Sequence, residues 1–270
     1  MSENPPIIVK SKASTISDYP QQVYKLLART EPRHFWFAAK NKIIGKTITK
    51  FFPDPGRTRF LEIGCGTGFV LSYLEKMGFN VTGVDMHIAG LRIAQSRITK
   101  ASLICADVTR DDLGQPFPAL GLFDVIEHID DDAYFLQRCV RHLAPRGLVF
   151  ITVPADMRLW SIIDEVSGHK RRYSKKSLEK LLTLCGLKIE TISYFNTFLY
   201  LAQLFFRKQI HTNHKLTKKS TVNILLYSFR YSPLINTIGT LGFTLEFLLS
   251  GFFPMPFGAS LVVTARKGKG

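Results

Sequence analysis

Phe60-Leu61-Glu62-Ile63-Gly64-Cys65-Gly66-Thr67-Gly68 runs from an apolar strand through a glycine-rich turn into a helical pattern (Phe69, Val70, Leu71, Leu74, Met77). Glycine tolerates left-handed and crowded backbone, so a ligand can lie against the main chain at such a turn. Dinucleotide sites want G-x-G-x-x-G, with N–H groups aimed at a pyrophosphate. Here the spacing is G-x-G-x-G, and Glu62 stands two residues before the first glycine. A carboxylate at that place repels a phosphate and suits a cationic ligand. On its own, the run is also compatible with a bare strand-to-helix turn.

Two further strand ends narrow the reading. Val81-Thr82-Gly83-Val84-Asp85 is a short strand closing on an acid, at the place where a carboxylate can accept both hydroxyls of a ribose. Ala101 to Ala106 is a third strand-like run, and it ends at Asp107-Val108, where an acid can take the amino group of an adenine. In order and spacing, LEIGCGTG, GVD, CAD and the later GLFDVIEHI resemble the class I S-adenosylmethionine (SAM) dependent methyltransferases. The resemblance implies an α/β fold: a doubly wound, seven-stranded, mostly parallel sheet of Rossmann-like type. It also implies SAM as cofactor, held by Trp36, Lys40, Glu62, Gly64, Cys65, Gly66, Gly68, Asp85, Met86, Asp107, Val108 and Phe123.

Composition bounds the partners. The chain has 270 residues, 46% of them hydrophobic, ample material for a buried core and too apolar for a disordered chain. Cys65, Cys105, Cys139 and Cys185 lack paired spacing, and the histidines, His211 and His214 among them, form no ligand motif, so neither a disulfide framework nor a metal site is expected. Met1 to Pro6 shows no charged region followed by an apolar stretch, which predicts no secretory signal and a cytoplasmic setting. A formal net charge of +15 favours anionic partners: nucleic acid, a membrane surface or a phosphorylated substrate. The basic residues concentrate at Lys170-Arg171-Arg172 with Lys175 and Lys176, and from Arg207 to Lys219; plain solvated faces are the alternative.

Four segments are expected along the chain. Residues 1–57 form an N-terminal helical cap, with His34-Phe35-Trp36-Phe37 leading a helix through Ile43, Ile44 and Ile48 until Pro53-Asp54-Pro55-Gly56 breaks it. Residues 58–194 alternate strand and helix as a doubly wound core. Within it, Ala119–Leu122 is the fourth strand, Arg141–Gly147 closes a helix, and Leu148–Val153 is the fifth strand. Ser174 caps a helix stopped by Gly186, and Leu187–Tyr194 is the sixth strand. Residues 195–257 are an aromatic-rich insertion, and 258–270 are a last, antiparallel strand with a basic tail. The insertion offers no clean apolar span of about twenty residues, being interrupted by Glu246, Gly251, Pro254 and Pro256, so it reads as a lid over a greasy substrate, an interfacial anchor or core helices.

Methyl transfer is an in-line displacement, so positioning dominates, and a hydroxyl or amine acceptor needs a base as well. His128, in the segment after the fourth strand, is the leading base candidate because imidazole titrates near neutrality. Asp124 and Glu127 also have capping-box spacing, and Asp130 can cap the helix that follows. The pattern W-S-x-x-D-E-x-x-G-H-x-R-R-Y from Trp160 to Tyr173, with H-F-W-F at His34 and P-F-G-x-S at Pro256, resembles a bacterial and archaeal subgroup of type 11/12-like methyltransferases of unassigned substrate. By that resemblance the loop faces the acceptor, which adds His169, Arg172 and Tyr173 as substrate or base candidates, with His169 and Tyr173 among the expected catalytic residues. Ala38 and Lys40 stand where relatives often carry arginine, leaving open which cation holds the SAM carboxylate. The expected activity is transfer of a methyl group to a small or lipid-like acceptor, such as a quinone precursor, lipid-linked glycan or polysaccharide sugar, at a hydroxyl. The enzyme would be cytoplasmic or peripheral at the inner face of an anionic membrane. The alternatives are a nucleic-acid methyltransferase, which rests on charge alone, and a non-catalytic SAM-fold binding protein.

Overall fold

A computed structural model describes residues 5–10, 21–206, 232–250 and 255–268. The basic run from Arg207 to Lys219, His211 and His214, and Gly251, Phe252, Phe253 and Pro254 lie outside the described residues. The elements in order are β1 (Ile7–Val9), α1 (Gln21–Thr30), α2 (Phe35–Thr49), β2 (Arg59–Ile63), α3 (Phe69–Lys76), β3 (Asn80–Asp85), α4 (Ile88–Gln95), β4 (Ser102–Cys105) and β5 (Phe117–Phe123). They continue with α5 (Asp132–Arg141), β6 (Leu143–Pro154), α6 (Ile162–Val166), α7 (Lys175–Leu184), β7 (Leu187–Phe195), α8 (Thr197–Phe206), α9 (Pro233–Leu249) and β8 (Ser260–Lys267).

The strands form one sheet in the order β1-β4-β3-β2-β5-β6-β8-β7, parallel except for β8, which runs antiparallel between β6 and β7. The doubly wound fold expected from the sequence is therefore present, with eight strands rather than seven. The addition is β1, three residues paired parallel to β4 at the sheet edge and too short to show a period in sequence. Both faces of the central strands are buried: Leu61, Leu122 and Ile151 belong to one apolar cluster, Phe60, Phe123 and Phe150 to the other. Parallel strands covered on both faces read as continuous apolar runs, which is why Leu148 to Val153 carries no polar alternation except Thr152.

One local expectation is refined and one corrected. The segment Arg141–Gly147 does close a helix, but it also begins the next strand. α5 ends at Arg141, and Leu143 already pairs with Phe117, with Arg146 at a φ of 61° before the long straight run. The cap of α5 is Asp131, whose carboxylate accepts the Tyr134 N–H at 2.9 Å, not its neighbour Asp130. Ser174 does cap α7, and Gly186 follows its end at a φ of 72°.

β2 has β3 on one side and β5 on the other, so consecutive units wind outward in opposite directions from it. At such a switch point the loops leave the strand ends in opposite senses and open a crevice at the carboxyl edge. The insertion supplies α8 and α9, and α9 packs on α2, with Phe35 and Phe247 joining Ala39, Ile43, Phe243 and Val262 in a small core. No helix among the described residues is long and apolar enough to cross a membrane.

Candidate active site

The crevice is a cavity of about 750 Å3 bounded by the carboxyl ends of β2 to β6, by α1 and α2, and by α8 and α9. Most of the residues marked out in the sequence line it: Trp36, Lys40, Glu62, Gly64, Cys65, Gly66, Asp85, Met86, Asp107, Val108, Phe123, His128 and His169. Gly68 and Tyr173 do not. Gly68 begins α3 at a φ of 71°, where a Cβ would sit 2.6 Å from that of Ala94; its role is to let helix and turn approach. Tyr173 is 3% exposed and donates its hydroxyl to Asp132 at 2.6 Å, so its ring is core and its polar end is bound away from the cavity.

Local geometry explains the glycine turn. Gly64 has a φ of 74°, and a Cβ there would lie 2.7 Å from Val125 Cγ2, so the turn passes against the post-β5 segment only as glycine. The Gly66 N–H donates to Asp85 Oδ2 at 2.8 Å, and the His87 N–H to Asp85 Oδ1 at 2.8 Å. Asp85 thus clamps the turn to the end of β3. A carboxylate has about four lone-pair sites, so it retains acceptors for a diol. Burial pushes its carboxyl above the usual range. Asp107 accepts from Thr109 N–H and Oγ1 through Oδ1, at 2.9 and 2.7 Å, which fixes its rotamer at the end of β4.

Three carboxylates, Glu62 and Glu127 buried and Asp124 half-buried, give the cavity its electrostatic character. Glu62 is 2% exposed and its Oε2 has no hydrogen-bond partner among the described residues. Burial raises its carboxyl to about 8, with Asp85 and Glu31 adding to the rise and Lys40 opposing it. Glu127 is fully buried with neither oxygen partnered among the described residues, and burial together with the Asp124 charge holds it well above the carboxylate range. Asp124 goes the other way. Burial penalises its charge, but Lys40 at 2.8 Å and the Thr152 hydroxyl at 2.8 Å outweigh that and lower it. Asp124 and Glu127 therefore form no capping box; Asp124 stands at a φ of 57° and turns inward to Lys40. Lys40 also lies 4.8 Å from the Trp36 ring centre, a cation–π contact. Ala38 is exposed on the opposite side of α2.

The basic run after α6 is occupied by acids. Lys170 pairs with Asp130, Arg171 with Asp132, and Arg172 with Asp164. Sequence reasoning had Asp164 only as a motif letter, yet it is 0% exposed and central to this loop. Leu199 and Gln203 of α8 and Ile235 of α9 also line the cavity with Ile163. The insertion was open to a lid reading from sequence, but helical spacing there did not single out these three residues. Glu31, tied to Thr67 at 2.8 Å and Arg97 at 2.5 Å, lines the α1 side; its partners lie far along the chain.

A cavity with an unpartnered buried carboxylate beside a left-handed glycine turn fits a cationic nucleoside ligand such as SAM. Comparison with known proteins agrees. Residues 35–192 match the family model described as a methyltransferase domain. A ubiquinone biosynthesis O-methyltransferase of Rhizobium leguminosarum is 29% identical over 197 residues, covering 65% of this chain and 73% of that protein. The mitochondrial ubiquinone biosynthesis O-methyltransferase of Rattus norvegicus is 25% identical over 166 residues, 52% of this chain and 48% of its own length. The chain thus spans about three quarters of one relative and about half of the other. Among solved structures, the cyclase SpnF matches with a TM-score of 0.62 at 16% identity over 99% of both chains. The magnesium protoporphyrin IX methyltransferase of Synechocystis with bound S-adenosylhomocysteine matches with a TM-score of 0.52 at 12% identity over 86% of this chain and 85% of that one. At such identities these neighbours speak to the fold.

Proposed function

The chain belongs to the methyltransferase-domain family as a SAM-dependent methyltransferase, and from that premise we propose that its acceptor is a hydroxyl on the ring of a quinone precursor that carries an apolar tail. The observation that carries this reading is the mixed lining of the cavity. Glu127, His128 and His169 line it with polar groups, and Ile163, Leu199 and Ile235 of α6, α8 and α9 line it with apolar ones. A hydroxylated ring with a tail fits that lining, and the relatives named for ubiquinone biosynthesis support it.

In this reading Gly64 and Gly66 leave room for the cofactor, Asp85 accepts the ribose hydroxyls, Asp107 takes the adenine amino group, and Glu62 faces the ammonium of the methionine moiety. Bound SAM supplies an electrophilic methyl group on a sulfonium. The protein's own work is to hold the ring hydroxyl in line with it, exclude water and take up the hydroxyl proton. A tailed acceptor also gives a reason for the exposed stripe Leu234, Ile238, Leu241, Leu245 and Leu248 on α9, which, with a net charge of +15, suits peripheral contact with an anionic membrane.

The test is product analysis with SAM and catechols bearing prenyl tails of increasing length. The reading expects a methyl ether, with KM falling as the tail lengthens. A methyl group delivered to RNA or to an amine, and to no ring hydroxyl, refutes it. Sedimentation with anionic vesicles at low salt, lost at high salt, tests the membrane contact; no sedimentation at low salt refutes that part alone.

A further inference from the structure

His169 stands on the loop between α6 and α7, and one buried acid determines how its ring is presented. Asp164 Oδ1 accepts from His169 Nδ1 at 2.9 Å and from Arg172 Nε at 2.8 Å. Its Oδ2 accepts from Arg172 Nη2 at 3.1 Å, from the Ser161 N–H at 2.8 Å and from the Ser161 hydroxyl at 3.1 Å. Burial works against the Asp164 charge, but the bonds from His169 and Arg172 overcome it and bring the carboxyl down to about 2. At neutral pH Asp164 is therefore ionised, and an ionised carboxylate only accepts. The His169 nitrogen facing it must carry the proton, so in the neutral ring the lone pair sits on Nε2.

His128 is in a different position. Its ring meets that of His169 edge to face, with centres 4.8 Å apart. Burial, and then the neighbouring His169 charge, lower it to about 4 against the opposing pull of Asp124 and of the Gly168 and Ser167 backbone. A base that weak has little drive to take a hydroxyl proton near neutrality. Glu127 and Asp124 line the cavity as well; burial raises the Glu127 carboxyl well above the carboxylate range, and Asp124 is paired with Lys40. Lys170 does not compete, since its side chain pairs with Asp130 while its N–H binds the Glu127 carbonyl at 2.7 Å, tying the His169 loop to the post-β5 turn.

We propose that Asp164 and His169 act as a carboxylate–imidazole pair, in which His169 Nε2 receives the proton of the acceptor hydroxyl and Asp164 is the positioning residue that sets the tautomer. This rests on the hydroxyl-acceptor reading above. As the hydroxyl oxygen gains the methyl group, its O–H bonding pair stays on oxygen and the proton passes to Nε2. The resulting imidazolium is held against Asp164 until the proton leaves to solvent. Arg172 holds Asp164 from the far side and keeps it ionised. The sequence motif D-E-x-x-G-H-x-R-R thereby acquires a chemical sense: the acid, the base and the cation that anchors the acid lie within nine residues.

The experiment has two readouts on the full chain. Nitrogen-15 spectra of histidine-labelled protein report each ring's tautomer without any substrate. The pair requires His169 protonated at Nδ1 when neutral, and Asp164→Asn must abolish that preference. A neutral His169 protonated at Nε2 overturns the proposal. The second readout is turnover with SAM and an alkyl catechol as probe. His169→Gln, which leaves the Asp164–Arg172 pair standing, should lower kcat about 100-fold or more with SAM affinity within about twofold of wild type. His128→Gln should lower it much less. The reverse ranking overturns the proposal, and so does wild-type activity that a chelator removes and a divalent cation restores, since Glu127, His128 and His169, whose ligand atoms lie within 4.8 Å of one another, would then hold a cation instead of a proton. If wild type methylates no hydroxyl at all, the acceptor reading fails, while the tautomer result still judges the pair.

Discussion

Replacing Glu62 with glutamine should make the protein's stability less dependent on pH, in a direction and size that follow from burial. Glu62 is 2% exposed on β2, and its carboxyl rises from an ordinary value of 4.5 to about 8. Between those two values the folded state holds a proton that the unfolded state has released, so stability falls as pH rises. The contribution is fully present below 4.5 and is lost as pH climbs to and through about 8. Each pH unit in that window is worth about 1.4 kcal/mol, which puts the cost of Glu62 at pH 7 at about 3 kcal/mol. Glutamine has nearly the same shape and no charge to release. Urea unfolding of both proteins at about pH 5.5 and about pH 7.5 should show the glutamine variant gaining about 3 kcal/mol relative to wild type over that interval. At an m value of about 3 kcal/mol/M this is a relative midpoint shift of about 1 M urea. Saturating SAM should shrink the wild-type slope, because an ammonium beside Glu62 favours its ionised form. A gap between the two proteins that stays level with pH to within about 0.5 kcal/mol would refute the reasoning.

Three other substitutions read different parts of the site. Lys40→Met leaves the half-buried Asp124 with the Thr152 hydroxyl and should cost about 1 to 3 kcal/mol by urea unfolding, a cost that Asp124→Asn in the same chain largely removes. Because the Asp124 carboxyl is lowered, the gap should close as pH falls through its folded value; additive single effects would show that the pair is not coupled. Gly64→Ala forces a left-handed alanine, about 1 to 2 kcal/mol, and drives a methyl into Val125, so SAM affinity and melting temperature should both drop. Val125→Ala should restore part of each, and no restoration counts against the contact. Tyr173→Phe should cost about 1 kcal/mol in stability through the lost Asp132 bond and leave turnover at the wild-type level, whereas a large fall in kcat would return Tyr173 to the list of bases.

The legible parts of this molecule are those in which a function is written locally. LEIGCGTG, GVD and CAD each place an acid or a glycine at a strand end, and strand ends follow from short apolar runs. The cavity then gathers them because β2, β3 and β4 are adjacent and parallel. What stayed hidden depends on contacts between distant residues. Lys40 and Asp124 lie 84 positions apart, and only the packing of α2 over the post-β5 turn brings them to 2.8 Å. Tyr173 follows Arg172 directly in the chain, but the backbone turns it into the core while Arg172 faces Asp164, and no pattern of residue types distinguishes the two fates. Asp130 and Asp131 are equally plausible caps by composition; backbone geometry selects Asp131. The apolar insertion offered three readings from sequence because a cavity wall, a core face and an interfacial face share the same helical period. Here α9 serves more than one end, with Phe243 buried, Ile235 on the cavity and Leu241 and Leu245 66% and 60% exposed.

Asp85 clamps the glycine turn of the cofactor cavity, and isothermal titration of the purified chain with SAM tests that role most directly. SAM should bind, with the Asp85→Ala variant at least about tenfold weaker, since charge-assisted hydrogen bonds of about 1.5 to 3 kcal/mol each would be lost along with the hold on Gly66. NAD binding more tightly than SAM, or SAM binding unchanged in Asp85→Ala, would contradict it.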